Sequence, residues 1–274
     1  MASAVRLGPR FHSVMAAAKE AGLGRLVVIS DFDQTLTMYT GKDGKPAPQC
    51  HEIMLRHLQP PLPPCWPELV QWHGLTEPQR MEICENDPQK RADRTQWFFD
   101  KFVEADEGGI LDQQVSQCVE ACSTQLRGGV AELVQWLGEK GVPLLIVSAG
   151  LQEVIAALLQ AAALELPPTA QIVSNSFASP TVSITSRTKA ASLTLVPEAL
   201  AAATGRFVIC LGDKPSDLDP LKGLGEDVVA LKIGFSKPGA TDVEVQEYLD
   251  TFDVVIPGDP GVDFVLDLVK GLDS

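Results

Sequence analysis

Two acidic clusters stand at the ends of short apolar runs. The segment Val27-Val28-Ile29-Ser30-Asp31-Phe32-Asp33-Gln34-Thr35 closes a run of strand length on two carboxylates spaced by one residue. In an extended chain, positions i and i+2 face the same side, so Asp31 and Asp33 can look into one pocket. Taken alone, Asp-x-Asp reads at least as well as a turn or helix cap with solvated acids. A second run, Phe207-Val208-Ile209-Cys210-Leu211-Gly212-Asp213-Lys214-Pro215-Ser216-Asp217, ends the same way and shifts that balance. Two strands that each deliver carboxylates at their C-terminal ends make an all-oxygen site suited to Mg²⁺, which keeps places for water and phosphate. Between them, Leu145-Ile146-Val147-Ser148-Ala149-Gly150 brings a hydroxyl and backbone amides to a helix start, where a phosphate can be cradled. Ser186-Arg187-Thr188-Lys189 adds a cation that can neutralise phosphoryl oxygens.

For these groups to meet, the runs must be neighbouring strands. Apolar runs recur at 26–29, 144–147, 172–173, 207–211, 228–233 and 254–256, and helical periodicity at 131–140, 152–163, 196–203, 243–249 and 262–269. The alternation predicts an α/β fold with a mostly parallel sheet covered on both faces. Ligands of such sheets bind beyond the carboxyl ends of the strands. The long interval between the first run and the second breaks the rhythm. It opens on a Gly/Pro-rich turn at 41–48, holds Pro60-Pro61-Leu62-Pro63-Pro64, and looks helical around 51–58, 66–72, 93–103 and 111–124. Long insertions in compact domains usually serve as lids. The expected organisation is an α/β core of residues 1–36 and 126–274, with a helical cap inserted at 37–125.

Composition removes several function classes. The chain has 274 residues, 45% hydrophobic and 21% charged, with a formal net charge of -14. Such a chain builds a real core and has no Lys/Arg stripe for a nucleic-acid polymer, although a small phosphorylated ligand needs only a metal and a lysine. No apolar run approaches the roughly 18–20 residues of a membrane span. The N-terminus has no signal-peptide run; its Ala/Ser/Arg content faintly resembles a transit peptide, but 11–21 reads better as an ordinary helix. A cytoplasmic monomer, off the membrane, is the expectation. The six cysteines show no CxxC and the four histidines no His-x3-His, which argues for free thiols and against zinc.

The ordered set Asp-x-Asp-x-Thr, Ser, Lys and Gly-Asp-x3-Asp resembles the haloacid dehalogenase (HAD) superfamily of aspartyl-phosphate phosphatases. Within it, most of the chain is similar to the pyrimidine 5′-nucleotidase family, the cytosolic type III group that includes 7-methylguanosine-phosphate-specific members. The resemblance rests on Asp31-Phe32-Asp33, Ser148-Ala149-Gly150, Val173-Ser174-Asn175, Lys189, Leu211-Gly212-Asp213 and Asp217-Leu218. The tail Leu231-Lys232-Ile233-Gly234-Phe235, with Tyr248-Leu249 and Phe252-Asp253-Val254-Val255, extends it. Phosphoserine phosphatases share the first motifs but fit that tail less well. The resemblance implies a HAD-like Rossmannoid core and hydrolysis of a nucleoside 5′-monophosphate. Asp31 would be the nucleophile and Asp33 the acid/base, while Ser148, the Ala149 amide and Lys189 would hold the phosphate. Mg²⁺ would be held by Asp31, the Asp33 carbonyl and Asp213, with Asp217 in support.

Substrate choice falls to the cap. Cys84-Glu85-Asn86-Asp87-Pro88 resembles the family segment that carries a base-reading glutamate, which makes Glu85 the candidate; a carboxylate accepts from an exocyclic amine of cytosine or from 7-methylguanine. Trp97, Phe98 and Phe99 can stack a base, but at helical spacing aromatics more often form core. The segment after Asp87 is shorter than usual, and Lys101 stands where the family often has serine. Two other readings stay open: a phosphatase of another small ester such as phosphoserine or a sugar phosphate, and a non-catalytic binding protein of the same fold. The complete acid set opposes the last.

Overall fold

The two central strands, 26–30 and 207–212, are buried at every position and apolar up to their last residues, as a sheet covered on both faces requires. The computed structural model describes residues 5–106, 108–177, 184–185, 188–225 and 228–273. Its strands are β1 (Arg6–Leu7), β2 (Leu26–Ser30), β3 (Leu144–Leu151), β4 (Ala170–Asn175), β5 (Phe207–Gly212), β6 (Ala230–Ser236) and β7 (Val254–Pro257). They form one sheet in the order β1-β7-β6-β5-β2-β3-β4. All neighbours run parallel except β1, which pairs antiparallel with β7. Alternation along the strands feeds two cores: Val28, Ile146, Ile209 and Leu211 point into one, Val27, Ile29, Leu145 and Val208 into the other. β1 is too short to leave a periodic signal in the sequence.

Helix α1 (Phe11–Ala21) precedes β2 and buries Val14 and Ala18. The interval between β2 and β3 begins with α2 (Cys50–His57), α3 (Trp66–His73), α4 (Glu77–Ile83), α5 (Pro88–Ala105) and α6 (Ile110–Ala121). Helix α4 escapes a periodicity search because none of its residues is buried. It is specified instead by its start, where Thr76 and Gln79 form a capping box and Pro78 sits in the first turn. Helix α5 begins earlier than its apolar stripe, at Pro88, because Asp87 caps it by accepting from the Gln89 amide at 2.7 Å. The remaining helices are α7 (Val130–Glu139), α8 (Gln152–Ala161), α9 (Pro197–Ala203), α10 (Asp242–Leu249) and α11 (Asp263–Lys270). Two short 3-10 turns, the first starting at Lys189, lead into α9.

The helices α2–α6 leave and rejoin the sheet at one place. Thr37 bridges Leu126 in antiparallel fashion, the Met38 amide donates to the Gln125 carbonyl at 3.0 Å, and the Arg127 amide to the Leu36 carbonyl at 2.8 Å. Arg127 secures this junction from below. Its fully buried guanidinium donates to the carbonyls of Thr35, Gln34 and Pro260 and pairs with Asp259 at 2.9 Å. Asp259 in turn accepts from the amides of Tyr39 and Thr40 at 3.0 and 2.7 Å. Among the described residues no helix is long and apolar enough to cross a membrane, and all six cysteines are buried and free.

Candidate active site

Strand β2 stops at Ser30, one residue short of the acids, but Asp31 still donates its amide to the Leu211 carbonyl at 3.0 Å and so stays in register with β5. The chain then folds into a tight turn in which the Phe32 carbonyl accepts from the Leu36 amide at 2.9 Å. Gln34 takes the left-handed conformation, φ +63°, to complete it. Phe32 is fully buried and anchors the turn in the core. Asp31 and Asp33, on either side of it, line one cavity of about 120 Å³ with Ser148, Ala149, Lys189, Asp213, Lys214 and Asp217. Two larger clefts, of about 510 and 520 Å³, lie elsewhere; the first is at the opposite end of β2 and β5, around Arg25 and Phe207.

Asp31, Asp213 and Asp217 present carboxylate oxygens within 4.8 Å of one another, all three residues being buried. Gly212 makes this possible, since a Cβ there would sit 2.4 Å from the Cβ of Asp217. Buried Lys189 donates to Asp31 Oδ1 at 2.5 Å and to Asp217 Oδ1 at 2.7 Å. Asp217 is otherwise occupied: its Oδ2 accepts from the amides of Asp213 and Lys214 at 2.9 and 2.8 Å. Among the described residues, none gives buried Asp213 Oδ1 a hydrogen bond. Burial pushes the Asp31 carboxyl up to about 8 against the pull of Lys189, and Asp213 up to about 6 against that of Lys214. Burial pulls the Lys189 ammonium down, but Asp31 and Asp217 more than offset this and hold it above its usual range. The cluster therefore has more negative charge than its lysines balance. Three close carboxylates, one with an orphaned oxygen, fit the oxygen ligands and the charge demand of Mg²⁺.

Further side chains around these acids had no role assigned from the sequence. Tyr248 donates its hydroxyl to the Asp213 carbonyl at 2.7 Å, and Tyr39 donates to the Phe235 carbonyl at 3.1 Å beside Asp213. Lys214 pairs with Asp213 at 3.1 Å; its position inside the Gly-Asp-x3-Asp run was the available clue. Ser148 is buried, its hydroxyl accepting from the Gly150 amide at 3.0 Å. Asn175 connects this loop to the lysine: its Nδ2 donates to the carbonyls of Ala149 and Ile184 at 2.9 and 2.8 Å, and its Oδ1 accepts from the Ile184 amide at 2.6 Å. The Lys189 amide then donates to Thr185 at 3.0 Å. Ser186 and Arg187 of the same motif lie outside the described residues.

A second cavity, of about 140 Å³, adjoins the first through His51 and Phe99, which line both. Trp72, His73, Arg80, Arg91, Thr95 and Phe98 complete its wall. Burial, with His73 adding to it, pulls His51 down to about 4, so its ring is neutral. Of the three aromatics, Phe99 lines the cavity that holds Asp31 and Asp33, Phe98 is buried, and Trp97 lies under the Arg94 guanidinium. Glu85 is not brought to either cavity. It sits on the α4–α5 connection with its side chain 74% exposed and paired to Lys90 at 2.5 Å. Glu85 and Asn86 both adopt the left-handed conformation there, φ +56°.

The family model described as pyrimidine 5′-nucleotidase (UMPH-1) matches residues 34–182 and 197–273. The chain belongs to the pyrimidine 5′-nucleotidase family. It is an enzyme of the 5′-nucleotidase class, with Ser148, Ala149, Asp213 and Asp217 inside the matched ranges and Asp31, Asp33 and Lys189 outside them. Among relatives, it is 28% identical over 291 residues to the 7-methylguanosine phosphate-specific 5′-nucleotidase of Gallus gallus, covering 96% of this chain and 92% of that one. Its identity to the protein of the same name in Homo sapiens is 26% over 273 residues, covering 96% and 88%. A crystal structure of cytosolic 5′-nucleotidase IIIB bound to cytidine superposes with a TM-score of 0.75 at 23% identity, covering 98% of this chain and 93% of that one. The family's fold is thus shared over nearly the whole chain.

Proposed function

We propose that this member of the family is a Mg²⁺-dependent phosphatase that hydrolyses nucleoside 5′-monophosphates through an aspartyl-phosphate. CMP, UMP and 7-methyl-GMP are the substrates to consider, the last because of the relatives' names. The observation that carries this reading is the unequal treatment of two acids in one cavity. Asp31 belongs to the cluster with Lys189, whereas Asp33 stands apart from it, against Cys50. Asp31 would attack phosphorus, splitting one hard displacement into two easier ones. Asp33 would give its proton to the departing 5′ oxygen and then take one from the attacking water. Lys189 would neutralise phosphoryl oxygens, and Ser148 with the Ala149 amide would hold the others. Asp31, Asp213 and the Asp33 carbonyl would hold Mg²⁺, with Asp217 orienting them from behind; the ion supplies the positive charge that lets an anionic nucleophile approach a phosphate. Residues 37–125 would act as the cap over a core of 1–36 and 126–274.

The test is a substrate profile with Mg²⁺ present, covering nucleoside monophosphates, phosphoserine and sugar phosphates. Preference for a nucleoside monophosphate supports the reading; preference for another ester moves the enzyme to a different substrate. Asp31→Asn should abolish turnover and EDTA should inhibit it, and substantial activity in either case would refute the mechanism.

A further inference from the structure

Asp33 has to present one carboxyl oxygen to the leaving group, and the first residue of α2 determines how that carboxyl lies. The Cys50 amide donates to Oδ1 and Oδ2 at 3.1 and 3.2 Å, and the Cys50 thiol donates to Oδ1 at 3.2 Å. Cys65 and Cys210, by contrast, direct their thiols at backbone carbonyls. The slot accepts only a small side chain. A Cβ at position 150 would lie 3.0 Å from Cys50 Cβ and 3.1 Å from its Sγ, so the phosphate loop of Ser148 and Ala149 closes the other side.

We propose that Cys50 is a positioning residue for Asp33, clamping the acid/base carboxyl between the end of β2 and the first turn of α2. The inference rests on the acid/base assignment of Asp33. When Asp33 releases its proton to the 5′ oxygen of the ribose, the negative charge that forms on its carboxylate meets two donors already in place. The thiol proton is not transferred; it stays on sulfur throughout. The clamp also makes the acid depend on the seating of α2, so chemistry and the helices that surround the leaving group are joined through one side chain.

Leaving-group dependence tests this, because a nucleoside 5′ alkoxide needs protonation and p-nitrophenolate does not. In Cys50→Ala, kcat/KM for CMP should fall about tenfold while that for p-nitrophenyl phosphate changes less than about twofold. Cys50→Ser keeps a donor of similar size and should recover to within about threefold of wild type for CMP. Equal losses on both esters, or no recovery with serine, would reduce Cys50 to packing and overturn the proposal. Asp33→Asn in the same assay separates the two layers. If it still hydrolyses CMP, the acid/base assignment falls; if it is inactive on CMP while Cys50→Ala behaves as wild type, only the clamp falls. Infrared spectroscopy gives an answer even where Cys50→Ala folds poorly. The S–H band lost in Cys50→Ser should move to higher frequency in Asp33→Ala, and a band indifferent to Asp33 refutes the hydrogen bond.

Discussion

At the scale of single residues, the site is a problem of charge. Asp31, Asp213 and Asp217 crowd together, and Lys189 answers two of them while none of the described residues gives Asp213 Oδ1 a hydrogen bond. An ion that binds only the folded protein stabilises it, by about 2.7 kcal/mol at a hundredfold excess over its Kd. Mg²⁺ should therefore raise the melting temperature of the wild type, and Asp213→Asn should remove most of that rise. A melting curve indifferent to Mg²⁺ would count against a metal at this cluster. The sequence disclosed these acids because each follows an apolar run within one motif. It did not disclose Tyr39 or Cys50, and it marked Tyr248 only as part of the tail that resembles the family, without a place at the site.

At the scale of elements, the junction of α2–α6 with the sheet rests on a buried ion pair. Arg127 is buried with three carbonyls and one carboxylate around it. Breaking such a pair from one side typically costs about 3–5 kcal/mol. Arg127→Met should show that loss in urea unfolding, and a change below about 1 kcal/mol would mean that water replaces the guanidinium. The α4–α5 connection makes a second, opposite case. Glu85 faces solvent and pairs with Lys90, so it reads a base only if this connection moves over the seam between the two cavities. If it does, Glu85→Ala should impair CMP hydrolysis more than hydrolysis of p-nitrophenyl phosphate. Equal effects on both would remove Glu85 from recognition. The resemblance located the segment but not its direction, because two successive left-handed residues fall within a stretch of no apolar pattern.

Across the whole molecule, the alternation of apolar runs was enough to place the parallel sheet, and the break in that rhythm marked the inserted helices. What escaped were elements fixed by something other than burial: β1, held by its pairing with β7, and α4, held by its capping box. The net charge of -14 coexists with Arg80 and Arg91 in one cavity wall and Lys189 and Lys214 among the acids of the other, so the overall charge does not describe the site. The chain's departure and return at Thr37 and Leu126 have a wider meaning. Because both passages cross at one point on the sheet, residues can be gained or lost among α2–α6 without rerouting any strand that bears an acid. Under the proposed function, two parts of such a gene would be free to change at different rates: the stretches that break a phosphate ester, and the stretch that decides whose ester it is.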